Sequence, residues 1–219
     1  MTPRDFSIGN AIGFGWNTAL RKLGFFIVTL LVIAVLTSIP GVLSNWLGRD
    51  DDGIAVLFSL VQTVIGIIVT MGLINICLHF VDGQNARLGD LFEPAPQFLN
   101  FLVANVLAGL AVMIGLILLI LPGIYLAVKL QFFGYPIVDR GVGPIDALKE
   151  SFAITNGVFW KVLLFDVLAT LIVIAGAIAF GVGLFVAIPL VEVATAFIYR
   201  RLAPHPTGAA WEEPVATGR

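Results

Sequence analysis

The sequence predicts an all-α polytopic membrane protein: six transmembrane helices as three helical hairpins, with interfacial amphipathic helices between them. Three observations predict this. First, hydrophobic residues make up 59% of the 219 residues and charged residues 12%, against about 45–50% and about 25% in an average soluble domain. A chain so poor in charge cannot cover its apolar surface in water, and the mean hydropathy of +1.02 agrees. Second, the apolar residues gather into blocks that approach the roughly 20 residues needed to cross a hydrocarbon core at ~1.5 Å per residue. Third, almost all Lys and Arg fall on one side of those blocks.

Ser7–Leu20 carries apolar Ile8, Ala11, Ile12, Phe14 and Trp16 against polar Asn10, Asn17 and Thr18. That pattern suits a helix lying in the inner interface. Leu23–Leu43 is the first span. It is longer than a signal-peptide core of about 7–15 residues and has no small-residue cleavage pattern after it, so it reads as retained. Asp50–Asp52 reads as a solvated tip, and Ile54–Phe80 is the second span. Arg87–Phe98, interrupted by Pro94 and Pro96, is a poorer interfacial segment. Phe98–Leu121 is the third span, with small residues Ala104, Ala108, Ala111 and Gly115 on one face as a packing seam. Leu121-Pro122-Gly123 supplies a tight reversal, and Gly123–Val138 is a short fourth span, either crossing or re-entrant.

Pro144–Thr155 opens with a helix-start proline and is again amphipathic. Val158–Phe180 is the fifth span, with Ala175 and Ala179 as its packing face. Gly181-Val182-Gly183 is the next reversal, and Gly183–Tyr199 is the sixth and also short span. Residues 1–203 are expected to form one membrane domain without an added soluble domain. Residues 204–219, rich in proline and glycine, read as a disordered cytoplasmic tail. A weak threefold internal repeat is suggested by Ala11-Ile12 with Trp16 against Ala147-Leu148 with Phe152.

Arg4, Arg21, Lys22, Arg87, Arg140, Lys149, Lys161, Arg200 and Arg201 all precede or follow span pairs on one side, and Arg49 alone lies opposite. The positive-inside rule places both termini in the cytoplasm, which requires an even number of spans. Trp16 and Trp160 would lie at headgroup depth.

Ionisable residues inside spans are costly and mark the best functional candidates. Lys129 lies ten residues before Asp139, about 15 Å deep. Glu192 lies eight residues before Arg200, about 12 Å deep. The matching depths predict a Lys129–Glu192 ion pair with Gln131 beside it, and Pro189 leaves a nearby carbonyl unpaired. Asp166, about 8 Å in from Lys161, is expected to meet Asn75 and Asn105 in an inner layer. Such groups can also serve only as packing contacts.

Cys77 is the only cysteine and reads as a buried hydrophobe; with His79 two residues on, it faces a different side of the helix, so no metal site is expected. The net charge of −2 argues against a nucleic-acid partner. No nucleophile elbow, zinc-protease, phosphate-loop or Cys-x-x-Cys pattern is present, and no catalytic residue or cofactor is expected.

Leu121-Pro122-Gly123-Ile124-Tyr125, Pro136-Ile137-Val138-Asp139, Gly143–Ser151, Thr155-Asn156-Gly157 and Phe159-Trp160 form an ordered series. It resembles the membrane domain of bacterial glycerophosphodiester phosphodiesterases, and equally the stand-alone bacterial inner-membrane relatives of that domain, whose function is unknown. In the fused enzymes a separate soluble domain does the chemistry, so the resemblance implies a prokaryotic inner-membrane protein and carries over no catalytic residue. The function expected from the sequence is a non-enzymatic scaffold, or a partner of lipid or other membrane proteins, with a homo-oligomer as one form of that. The alternative is a small transporter or channel using the Lys129/Glu192 layer. An intramembrane lipid enzyme is the third reading, and it lacks a nucleophile and base.

Overall fold

The computed structural model describes residues 6–47, 52–178 and 181–203. Arg4, Arg49, Asp50, Asp51, Ala179 and the expected tail at 204–219 lie outside the described residues. Nine helices are described: α1 (Ile8–Arg21), α2 (Leu23–Leu47), α3 (Asp52–Val81), α4 (Phe98–Leu118), α5 (Ile120–Leu130), α6 (Gly134–Arg140), α7 (Pro144–Ile154), α8 (Phe159–Ile178) and α9 (Leu184–Leu202). Two short 3-10 turns, Leu88–Leu91 and Ala95–Gln97, stand between α3 and α4.

The protein is an all-α, polytopic membrane-type fold. Five described stretches are long and apolar enough to cross a membrane: Leu23–Ser44, Gly53–Val81, Leu88–Leu118, Ile120–Arg140 and Phe159–Ile178. The sixth expected block, α9, is not among them. It carries Glu192, Arg200 and Arg201, and its middle and C-terminal residues are mostly buried among other helices. α9 packs on α1, α2, α3 and α8, so protein rather than lipid is its main solvent.

α2 packs on α3, α4 on α5, and α8 on α9. Gly115 lies against Gly123 where the chain turns within the second pair, and Gly176 against Gly183 where it turns within the third. The second turn is not at Pro122. The extended residue is Leu119 (φ −163°, ψ 146°), and Pro122 lies in the first turn of α5, where a missing N–H costs no helical bond. The α4 seam is present, with Ala104, Ala108 and Gly115 buried. On α8 the packed face is Val162, Phe165, Ala169 and Gly176, while Ala175 is exposed; the buried face is therefore not the one that carries Ala175.

Burial is concentrated at the end of the bundle that carries Asp82, Asp139 and Arg200, called here the charged end. Phe26, Phe80, Phe132, Phe197 and Tyr199 fill it. Towards the opposite, tip end, apolar side chains point outward, with Trp46 82% exposed and Ile178 77% exposed. This is surface that lipid covers at no hydrophobic cost.

Three segments dock on the bundle. α1 lies along α9, with Ala11, Gly15 and Ala19 buried at helical spacing. A Cβ on Gly15 would stand 2.4 Å from the Leu190 carbonyl oxygen, so only glycine permits this approach. The Leu88–Leu91 turn lies on α3, and a Cβ on Gly72 would stand 2.1 Å from the Leu91 carbonyl oxygen. α7 lies against α4, α5 and α6 through Ala147, Ser151 and Ile154. The Leu88–Leu91 turn and α1 each cover the second helix of a pair, whereas α7 packs on both helices of its pair. The threefold pattern is one of contacts rather than of shared residues. It also changes the expectation for Ser7–Leu20 and Pro144–Thr155. Their buried stripes face other helices, because residues such as Ala11, Gly15 and Ala147 are small enough to bring backbones together.

A pair of glycine substitutions on α1 tests this packing. Nothing lies within 4 Å of a Cβ placed on Gly13, so Gly13→Ala should be neutral or stabilising by up to about 1 kcal/mol through helix propensity. Gly15→Ala should instead cost about 1–3 kcal/mol by overpacking. Thermal unfolding in detergent reads the difference, and equal effects at the two sites would contradict the docking of α1.

Candidate functional site

The fourth expected span is broken. α5 ends at Leu130, residues 131–133 form a turn, and α6 begins at Gly134. Pro136 is the cause. In a continuous helix it could not donate to the Phe132 carbonyl and its ring would clash there. The carbonyl is taken instead by the Tyr135 N–H at 3.1 Å. Gly134 lets the chain pass tightly by, since a Cβ there would be 2.8 Å from the Phe101 ring.

The break frees two further backbone groups, and Ser151 of α7 satisfies both. Its hydroxyl donates to the Lys129 carbonyl at 2.8 Å and accepts from the Phe132 N–H at 3.1 Å. Ser151 is fully buried. Thr155, one turn on, turns its hydroxyl back to the Ser151 and Phe152 carbonyls.

Around the break lie the polar side chains singled out in the sequence. Lys129, only 2% exposed, does not pair with Glu192. Its ammonium donates to Asn156 Oδ1 at 2.6 Å and lies over the Phe152 and Tyr125 rings at 4.8 and 5.5 Å. The depth match assumed one continuous helix from Lys129 to Asp139, and the turn at 131–133 removes that assumption. The long side chain then reaches to the α7–α8 turn, where Asn156 is exposed. Glu192 is partly buried within electrostatic range of Cys77 and Tyr135. Pro189 lies inside α9, which continues through it.

Gln131 donates to Asp166 Oδ2 at 3.0 Å, joining the break to α8. Asn75 does not reach Asp166. It donates to the Asp90 carbonyl at 3.2 Å and to Glu93 Oε2 at 2.8 Å, tying down the turn docked on α3. Asn105 is exposed on α4 and also does not reach Asp166; it lines a groove with Gln131. His79 Nδ1 stands 3.3 Å from Asp90. Among the described residues no group of three or more His, Cys, Asp or Glu could hold a metal ion.

Two grooves meet at Gln131. One, of about 390 Å³, lies between α3, α4 and the break, and its polar lining is Thr63, Thr70, Asn105 and Gln131. The other, of about 450 Å³, lies between α8, α9 and the break, and its polar lining is Gln131, Asp166, Thr170 and Thr195. The first is lined by uncharged groups alone, and the second carries one carboxylate.

At the charged end, Arg200 of α9 clamps two neighbours. Its guanidinium donates to Asp82 at 3.0 and 2.7 Å, and to Asp139 at 2.7 and 2.8 Å. Arg140 bonds Glu150 of α7, and its guanidinium donates to Tyr199 Oη at 3.4 Å. Burial disfavours the Arg200 charge, but Asp139 and Asp82 outweigh it and raise the proton affinity above its ordinary value. From the sequence, Arg140 and Arg200 read as topology signals and Asp139 as a depth reference, and Asp82 is not singled out. Their common register was available: Asp82, Asp139 and Arg200 each directly follow an apolar run, after Val81, Val138 and Tyr199.

Two sets of variants test this geometry. Arg200→Met should cost about 3–5 kcal/mol by leaving Asp82 without its cation and Asp139 with only Arg140, 3.7 Å away. Adding Asp82→Asn and Asp139→Asn should recover part of the loss in thermal unfolding. If the triple variant is less stable still, the clamp is not the source of the effect. In a second series, Lys129→Met and Glu192→Leu should add to within about 0.5 kcal/mol, as separate sites do. Gln131→Leu and Asp166→Leu should couple by about 0.6–1.7 kcal/mol, the range for hydrogen bonds between membrane helices. The reverse pattern would place the pairs wrongly.

Residues 101–214 match the family described as Domain of unknown function (DUF7847). The chain is 24% identical to the uncharacterized protein Rv2560 of Mycobacterium tuberculosis, over 90% of this chain and 69% of that protein. It is equally similar, with the same coverage, to the uncharacterized protein Mb2590 of Mycobacterium bovis. No solved structure matches. The matched stretch starts in α4 and takes in the break, α7, Asp166, Glu192 and Arg200, more than half of the chain, and the protein belongs to the DUF7847 family.

Proposed function

We propose that this bacterial membrane protein is a small transporter or channel whose working part is the break at Gln131–Phe133 and the polar groups that meet there. One observation carries the reading. A helix in a membrane-type bundle is interrupted, and its polar neighbours Gln131 and Asp166 line grooves instead of being sealed in a core. Non-helical backbone at membrane depth is tolerated where protein buries it or a cavity runs beside it, and interrupted helices are how many transporters build their sites. A scaffold needs the docked segments and the Arg200 clamp. It does not need a carboxylate facing a groove.

In this reading α9 is the sixth span, the three pairs are transmembrane hairpins, and the protein lies in the inner membrane. Arg140, Lys149, Lys161, Arg200 and Arg201 cluster towards the charged end, and the positive-inside rule supports a cytoplasmic side for that end and for both termini. α1 and α7 flank it, with Trp16 and the 77%-exposed Trp160 as interface anchors. The resemblance to the phosphodiesterase membrane domain fits a protein without chemistry of its own. The residues that carry it include Pro136, Ser151 and Asn156, which make the break and hold its surroundings.

Efflux from liposomes tests the proposal. Vesicles containing the protein should release trapped glycerol, potassium or choline faster than protein-free vesicles. Gln131→Leu and Asp166→Leu should return the rate to that of empty vesicles. Efflux indistinguishable from protein-free vesicles for all three solutes would end the transport reading.

A further inference from the structure

We infer that the groove between α8 and α9 binds a lipophilic amine: an apolar chain or ring system bearing one protonated nitrogen and no phosphate. The inference names a substrate class for the passage proposed above and rests on that reading of the groove. Three features define the ligand. The walls are Phe165, Ala169, Val173, Ile174 and Val191, which favour an apolar body. The single charge on the lining is Asp166, whose Oδ2 accepts from Gln131 while its Oδ1 accepts no hydrogen bond from the described residues. No ion pair to Asp166 exists among the described residues. A carboxylate set in an apolar wall is favoured by a cationic partner, and none of the described residues supplies one.

Size decides between a bare cation and a larger one. The groove measures about 450 Å³, within the roughly 300–1,000 Å³ of sites for organic ligands. A lone metal ion would leave the apolar walls unused. The hydroxyls of Thr170 and Thr195 donate to the Asp166 and Val191 carbonyls of their own helices, which leaves their lone pairs to accept from an ammonium. The lining contains no Lys, Arg or His. A phosphate attached to the amine would have no partner there, which separates this ligand from a zwitterionic phospholipid headgroup. The second groove at Gln131, with uncharged lining alone, offers no such complementarity.

The test measures binding and not flux, so a failure here is distinct from a failure of transport. The protein is placed in phosphatidylcholine nanodiscs, and its thermal transition is followed while decylamine, decanol or decanoate is titrated. Decylamine should raise Tm at concentrations where decanol does not, and decanoate should have no effect. Asp166→Asn should weaken the decylamine response by about ten- to a hundredfold, the worth of a charge-assisted hydrogen bond. Should that variant fail to fold, Val191→Trp fills the apolar wall and should abolish the response while leaving the carboxylate in place. Glu192→Gln should leave it intact. Equal shifts with decylamine and decanol would overturn the inference, as would loss of the response in Glu192→Gln. Competition by phosphatidylethanolamine added to the nanodiscs would overturn the exclusion of a phosphate-bearing ligand.

Discussion

The Ser151 hydroxyl bridges the Lys129 carbonyl and the Phe132 N–H where the helix that starts at Ile120 is interrupted by a turn. Each of those backbone groups, buried without a partner, would cost about 1–3 kcal/mol, and more in a strictly apolar surround. A hydroxyl is the smallest side-chain group that donates and accepts at once. Because it satisfies both, α7 has to dock, and docking carries the rest with it. Glu150, next in the chain, meets Arg140. The turn after α7 presents Asn156 to the Lys129 ammonium. α8 then starts where Asp166 can take the Gln131 amide. The polar cluster is thus a consequence of how one broken helix is repaired.

The two ends of the bundle divide the work. At the charged end, Arg200 joins α9 to Asp82 and Asp139 while Tyr199 stacks on Tyr135 at 5.0 Å. Aromatic rings around Phe26 and Phe80 fill the remaining space. This end is cross-linked by charge and packed by bulk. Towards the tips, helices touch mainly their own partner, and small residues such as Gly115 and Gly123 hold the pairs closed. The grooves beside Gln131 lie where the two regimes meet.

Much of this was legible in the residues. α2, α3, α4 and α8 announce themselves by apolar length, and α7 by Pro144 at its start. The break was not legible, because hydropathy treats Val128–Val138 as one apolar run. The signal was Gly134-x-Pro136, in which a residue with low helix propensity precedes one that cannot donate. The same blindness produced the Lys129–Glu192 pairing, since counting depth at a fixed rise holds only along an unbroken helix. The docking of α1 was hidden for a different reason. Amphipathicity weighs side-chain polarity, whereas α1 reaches α9 through Gly15, a residue whose contribution is the absence of a side chain. Asp82, Asp139 and Arg200 were visible as charges at span ends, and only their shared register showed that they could meet.

Amide hydrogen exchange at Phe132 tests the central claim most directly, because that N–H has Ser151 as its acceptor instead of a carbonyl one turn back. In the intact protein Phe132 should be protected comparably to Ile137 in α6. In Ser151→Ala its protection should fall while that of Ile137 and of Val162 in α8 is retained. Unchanged protection at Phe132 in Ser151→Ala would show that the helix closes on itself through residues 131–133, and the account of the break would be wrong.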